Sequence, residues 1–390
     1  MKKLLILAIT LRLLVAGFLF HPDIKTYNFQ ASFLKKGVIN IYSFLVANKK
    51  TLPLKEEFVY FPLTYFAVGG YQALVSPILG NRFDSWLQDA GANSVVAKLQ
   101  IFKYLLVLKF PYLVLDIAIA FILLGYFADR KKREKVFVIW LFNPLTIFLI
   151  YVFSNIDLFP VVFTLLAFWF AKKERLLPAS LFLGLAACFK LYPLLFLPFL
   201  FLAGKGLKEK LVITLAPVAL LGLTILPVFS PAFVQSALIS GLTTRVLNPG
   251  FVIVATALFF YAWLIEKKIY LFNYWLIFLL LIFSFANFHI TWLLWMAPFL
   301  VIWAVEKPLL FKPIFLLSLI AVLIPLFYED RSMTISLFRI YSTWYDLLPT
   351  PFVVLQKFYD PYSLVNVLHS ALAGGTLVVG YKILKGENHA

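Results

Sequence analysis

The sequence predicts an all-α polytopic membrane protein: a bundle of about twelve transmembrane helices with both termini cytoplasmic and a long external first loop. Three observations carry this expectation. Of 390 residues, 63% are hydrophobic and 14% charged, with mean hydropathy +0.93, a balance foreign to a water-soluble globular chain. Apolar runs of roughly 20 residues, the length an α-helix needs to cross about 30 Å of hydrocarbon, recur along most of the chain, whereas barrel strands would be shorter and alternating. The basic residues behind the net charge of +17 fall in compact clusters between those runs, a pattern that reports topology and predicts no nucleic-acid partner.

The first run, 4–20, follows Met1-Lys2-Lys3 and shares its basic start with a secretory signal. It reads as a retained helix, because Arg12 interrupts it, no small-residue cleavage site follows, and the next residues are His21-Pro22-Asp23. Basic clusters then recur at Lys2-Lys3, Arg130 to Lys135, Lys172-Lys173 with Arg175, Lys205 to Lys210, Lys267-Lys268, Lys307 with Lys312, and Lys382 with Lys385. If every one faces the cytoplasm, two crossings separate each consecutive pair, which gives twelve helices. They are expected at 4–20, 104–128, 135–153, 157–172, 176–189, 191–204, 211–229, 249–265, 269–287, 290–305, 313–328 and 364–383. The whole chain, 1–390, is then a single integral membrane domain, in which 21–103 is the external loop and 104–390 holds the other helices.

Two choices follow from this scheme. Segment 61–79 is apolar enough to cross but would invert Arg130 to Lys135, so it is expected to be non-spanning, consistent with Pro62, Gly69, Gly70 and Pro77 inside it. Residues 176–204 are split at Lys190, giving two helices of about 14 residues that each span only about 21 Å. Cys188, the one cysteine, is expected to be a small core residue, and no disulfide framework is available.

The polar residues left on the external side are the candidates for chemistry. Asp23 follows Pro22, which stops the first helix and presents the carboxylate at the membrane surface. Asp157 ends the turn Ser154-Asn155-Ile156-Asp157 and begins a helix, where an acid also suits capping. Lys190, in Phe189-Lys190-Leu191-Tyr192-Pro193, is the one cation in an apolar stretch, a costly placement that marks function or snorkelling. His289 lies on the external turn between helices nine and ten, and Arg245 lies in segment 230–248. Arg12, roughly 16 Å below Asp23 on a regular helix, needs an acidic partner, for which Asp116 is suited, or a substrate role. Cations and imidazole suit a lipid phosphate, and a carboxylate suits proton removal from an acceptor hydroxyl. No zinc-ligand spacing and no Gly-rich phosphate loop occurs.

Arg12, Pro22-Asp23-Ile24 with Tyr27, Tyr60-Phe61-Pro62-Leu63, Phe142-Asn143-Pro144, Asn155-Ile156-Asp157, Phe189-Lys190-Leu191-Tyr192-Pro193 and Phe288-His289 through Trp292 to Trp295-Met296-Ala297-Pro298 follow one another along the chain. In this order they resemble the membrane-embedded GT-C glycosyltransferases, in particular the polyprenyl- and dolichyl-phosphate-mannose mannosyltransferases, such as the one that adds the first mannose in GPI-anchor synthesis. The resemblance implies an inverting sugar transfer, of mannose, from a polyprenyl-phosphate donor to a lipid or glycan acceptor on the non-cytoplasmic face. It assigns Asp23 as the base, Lys190 and His289 to the donor phosphate with Arg245 secondary, Asp157 to acceptor positioning or active-site support, and Tyr27, Tyr60 and Arg12 to the substrate site. Many such enzymes carry Asp-x-Asp on the first loop, whereas position 25 here is Lys25. No cofactor is required on this reading; a divalent cation, Mg or Mn, is compatible with it if Asp23 and Asp157 approach. The setting implied is a multi-pass protein among membrane lipids, in the cytoplasmic membrane if the cell is prokaryotic. A transporter or lipid flippase without covalent chemistry is the competing expectation, and a non-catalytic scaffold is a third.

Overall fold

Helix is the only regular structure among the residues that the computed structural model describes, namely 1–89, 97–239, 246–265, 270–286 and 288–385. The first half of the chain forms α1 (Lys2–Phe18), α2 (Pro22–Ala31), α3 (Ile41–Asn48), α4 (Pro62–Leu74), α5 (Phe83–Gln88), α6 (Lys98–Tyr126) and α7 (Arg130–Leu141). The second half forms α8 (Leu158–Lys172), α9 (Leu176–Ala187), α10 (Leu197–Ala203), α11 (Gly206–Ile225), α12 (Pro249–Ile265), α13 (Leu271–Phe285), α14 (Leu293–Glu306), α15 (Phe311–Leu326) and α16 (Pro361–Lys385). Each apolar segment expected to be helical overlaps one of these helices. Four helical stretches, Lys98–Tyr126, Gly206–Val228, Pro308–Leu326 and Pro361–Lys385, are long and apolar enough to cross a membrane, and six are if two bent pairs count as one span each. This is the make-up of a multi-pass membrane protein.

The breaks between helices have local causes. Between α1 and α2 the chain turns by 80°. There Pro22 opens α2, and the His21 ring accepts the Asp23 backbone N–H through Nδ1 at 3.3 Å as an N-cap. The unbroken helix expected over 135–153 is instead α7, a stop at Phe142-Asn143, and a second piece bent by 43° that ends in a π-turn over Phe148–Val152. Asn143 Oδ1 accepts the Leu145 N–H at 2.9 Å and Pro144 has no N–H to continue the first helix, so one helix must end where the other starts. The interruption expected at Lys190 is present: α9 ends at Ala187 and helical turns resume at Tyr192–Phe196.

The described part of segment 21–103 forms short helices, and Tyr42, Phe58, Tyr65 and Trp86 from it share a second apolar cluster with residues of the bundle such as Tyr104, Cys188 and Phe233. Within the segment, 61–79 becomes α4 and the turn Ser76–Leu79. Its start is pinned to the end of α9, since Phe61 N–H donates to Phe189 O at 3.2 Å and Leu63 N–H to Cys188 O at 3.1 Å. Cys188 is fully buried, as expected of a small core residue.

In the main bundle, α9 and α11 approach until a Cβ added at Gly184 would lie 2.6 Å from Pro217 Cα. Backbone against backbone cannot yield as a side-chain tip can. Gly184→Val should therefore lower the detergent unfolding midpoint, at an overpacking cost of about 1–3 kcal/mol. Gly222→Ala, with nothing within 4 Å of its added Cβ, should leave it within a degree or two; equal effects in a thermal-shift series would refute the close packing.

Candidate active site

Four interhelical turns converge at one end of the bundle: 19–21 after α1, 153–157 before α8, 188–191 after α9, and 288–292 before α14. The second and the fourth are joined directly. Asn155 Nδ2 donates to Thr291 O at 2.7 Å, and Asn155 Oδ1 accepts the Asp157 N–H at 2.9 Å. Ser154, at φ 55°, takes the left-handed conformation that lets the chain reverse immediately after the π-turn.

Asp157 and Lys190 form the centre of this rim. Lys190 Nζ donates to both carboxylate oxygens, at 2.9 and 2.7 Å, and Trp295 Nε1 donates to Oδ2 at 2.8 Å. The capping role considered for Asp157 is not realised: its side chain makes no cap bond to α8, because Lys190 and Trp295 occupy its oxygens. The ammonium also lies 4.8 Å from the Trp295 ring and 5.9 Å from that of Tyr60, an aromatic wall favourable to a cation. Burial pulls the Lys190 ammonium below the ordinary lysine value, and the Asp157 charge opposes this. Asp157 is 2% and Lys190 17% exposed at the side chain. Two of the three ammonium donors are therefore spent on Asp157, and one remains for an anion.

Asp23 stands beside this pair. Its carboxylate is 3.6 Å from His21 Nδ1, and half of its side chain is accessible, so it occupies a wet recess and not a dry core. Crowding by protein atoms still disfavours its charge and raises its pKa to about 6, with His289 opposing and Asp330 and Asp157 adding to the rise. Burial lowers the His289 imidazole below its usual value while Asp23 holds it up. It likewise lowers His21 to about 4, opposed by Asp330. Both imidazoles pack on Phe153, with ring centroids at 4.7 Å for His21 and 6.3 Å for His289. At neutral pH the recess thus combines an ionised Asp23 with neutral imidazoles.

Tyr27 lies one helical turn beyond Asp23 on α2, the i,i+4 position on the same face. Its hydroxyl donates to Ser154 O and shares a 2.9 Å bond with the Tyr112 hydroxyl. Tyr60 is held by the Tyr42 hydroxyl on its carbonyl at 2.6 Å. Burial keeps both phenols above the ordinary tyrosine value, so they serve as neutral groups.

Five of the expected site residues, Asp23, Asp157, Lys190, His289 and Tyr60, therefore gather here, with Tyr27 in their second layer. Arg12 does not. It is fully buried in α1, paired with Asp116 at 2.5 Å and donating to Leu141 O at 2.7 Å, and the 80° turn after α1 removes the straight path to Asp23 that a regular helix would have given. The ion-pair alternative is the one realised. Arg245 lies outside the described residues. Lys25 is turned toward α5, where its ammonium meets Asp89 O and the Trp86 ring, so position 25 offers no second ligand beside Asp23. Among the described residues no group of three or more His, Cys, Asp or Glu is arranged to hold a metal ion, and Asp157 is already satisfied by a cation. Sequence reasoning quoted His21, Asn155 and Trp295 within its motifs but gave them no role at the site, and did not single out Asp330. His21 carried one signal, its place just before Pro-Asp, where a cap is required. Comparison of the chain with family models, characterised proteins and solved structures yields no match.

The pair at the centre makes a stability prediction. Lys190→Met leaves the buried Asp157 charge unpaired and should cost about 3–5 kcal/mol. The double variant Lys190→Met, Asp157→Leu should recover most of that loss in chemical or thermal unfolding. A double variant no more stable than the single one would refute the coupling.

Proposed function

We propose that this chain is an integral membrane glycosyltransferase that transfers a sugar, mannose by the resemblance described above, from a polyprenyl-phosphate donor to an acceptor hydroxyl on the non-cytoplasmic face. The observation that supports it most is the division of labour among the rim's acids: Asp157 is neutralised by Lys190, while Asp23 stays open with a pKa of about 6. A carboxylate of that strength is ionised at neutral pH yet basic enough to accept a proton.

In the reaction, Asp23 takes the proton of the acceptor hydroxyl as its oxygen attacks the anomeric carbon. The bond from that carbon to the phosphate oxygen breaks on the opposite face, its electron pair leaves with the lipid phosphate, and the configuration inverts. A phosphate needs no acid to depart, so one base suffices. The free donor of Lys190 and the His289 ring are placed to receive the negative charge that develops. Approach of an anionic phosphate would itself raise the pKa of both Asp23 and His289, strengthening the base and favouring imidazolium at the leaving group.

The same reading assigns the helices to twelve crossings with both termini cytoplasmic, and places segment 21–103 outside as a cover over the lipid-linked donor. The short α8, α9 and α10 then lie behind protein or in thinned bilayer. In a Cys188→Ala background, Lys49→Cys should react with an impermeant maleimide on intact cells and Lys131→Cys only after lysis. The reverse pattern would overturn the orientation.

The activity test uses purified protein in nanodiscs with polyprenyl-phosphate mannose and candidate acceptors. Sugar transfer should fall by at least about 100-fold in Asp23→Asn. Below pH 6 Asp23 takes up a proton and cannot act as base, so kcat/KM should climb with pH up to about 6 and level above it, while the residual Asp23→Asn rate should lack this limb. Full activity of Asp23→Asn would refute the mechanism, and lipid movement without a covalent product would favour a flippase.

A further inference from the structure

At the opposite end of the same helices lies a cavity of about 1110 Å³ lined by both charged and apolar side chains. Helix α8 begins at Asp157 and ends at Lys172, so the two ends are separated by about 22 Å of helix. Among the described residues, five lysines line the cavity (Lys172, Lys205, Lys307, Lys382 and Lys385) against three glutamates (Glu174, Glu209 and Glu306), a formal balance of +2. Among the described residues, none of these lysines stands in an ion pair. Two of the carboxylates are already engaged: Glu209 accepts the Lys205 backbone N–H at 2.5 Å, and Glu306 is bonded to the Tyr126 hydroxyl.

A second observation points to a ligand. Trp303 lines the cavity, is 4% exposed, and its Nε1–H has no acceptor among the described residues. A buried indole donor without a partner is costly, and a ligand oxygen that reached it would remove that cost. The remaining walls are apolar, including Phe168, Leu202 and Phe272, and Leu309 at the rim is 93% exposed. Cations, one orphan donor and an apolar mouth together match a phosphate on a hydrocarbon tail.

We propose that this cavity binds an anionic phospholipid, its phosphate among Lys205, Lys307 and Lys382 and its acyl chains leaving past Leu309. Basic recesses between membrane helices on the cytoplasmic side are suited to such head groups. The site is independent of the glycosyl transfer assigned to the other rim.

Native mass spectrometry of the purified full chain, released from nanodiscs of phosphatidylglycerol or of phosphatidylcholine, tests this. Wild type should retain phosphatidylglycerol, and the triple variant Lys205→Gln, Lys307→Gln, Lys382→Gln should lose at least about tenfold in retention. Lys131→Gln, Lys208→Gln, Lys312→Gln, which removes three exposed lysines that do not line the cavity, should match wild type. Trp303→Phe keeps the ring, removes the donor, and should weaken phosphatidylglycerol retention without changing that of phosphatidylcholine. The proposal fails if the two triple variants behave alike, if phosphatidylcholine is held as tightly, or if glycerol phosphate saturates the cavity in lipid-free detergent.

Discussion

The geometry of the rim depends on two charged side chains buried in α6, Lys109 and Asp116. Lys109 is 1% exposed and donates to Leu19 O at 2.6 Å and Tyr151 O at 2.7 Å. Both carbonyls belong to chain just completing a helical segment, where acceptors are left without intrahelical partners and the dipole is negative. One ammonium thus joins the end of α1 to the end of the π-turn. Two turns further along α6, Asp116 receives Arg12 at 2.5 Å, Trp140 Nε1 at 2.7 Å and the Tyr151 hydroxyl at 2.9 Å. Charges at this depth need partners, and these bonds, which leave Arg12 Nη2 without one among the described residues, give α1, α6 and α7 little freedom to slide.

That restraint is what brings the reactive groups together. His21 and Asp23 begin two residues beyond Leu19, and the Ser154–Asp157 turn begins three beyond Tyr151. Fixing both carbonyls on Lys109 therefore fixes the spacing between the open carboxylate and the neutralised one. Phe153, packed by both imidazoles, fills the space between them. On the other flank, Phe61 and Leu63 add two backbone bonds to the end of α9, which sets Tyr60 beside Lys190. A rim built this way is preorganised: its charges are held by helix ends and backbone.

Much of the helical content was legible because hydrocarbon demands long apolar runs and each run is punctuated by proline, asparagine or a basic cluster. The break at Lys190 followed from charge balance alone. Asn143-Pro144 stood in plain view as a helix stop but fell inside a continuous apolar run, and hydropathy outweighed capping chemistry there. At the site, Asp23, Asp157, Lys190 and His289 were visible as ionisable groups in the wrong solvent. Their pairing was not, because the partner of Lys190 is 33 residues away and the indole that completes Asp157 is 138 residues away. Arg12 shows the converse: an intramembrane arginine announces a partner, yet only the packed bundle distinguishes the buried Asp116 from a substrate.

The two ends of the bundle are also electrically different for a reason that precedes any ligand. Helices α8 and α14 both start at the rim and finish at the cavity, so their N-termini add positive potential at the Asp23 end and their C-termini negative potential at the other. Lys172, in the last turn of α8, and Lys307, just past α14, answer those C-termini, an effect worth about 0.3–1 kcal/mol each that requires no cavity. Lys205 has no such explanation, since it precedes the N-terminus of α11 and opposes its dipole, which Glu209 in the first turn offsets. Nor does the dipole account for the unpaired Trp303 donor. Charge placed against the local dipole, next to a donor without an acceptor, is what separates a binding recess from the ordinary basic border of a membrane helix bundle.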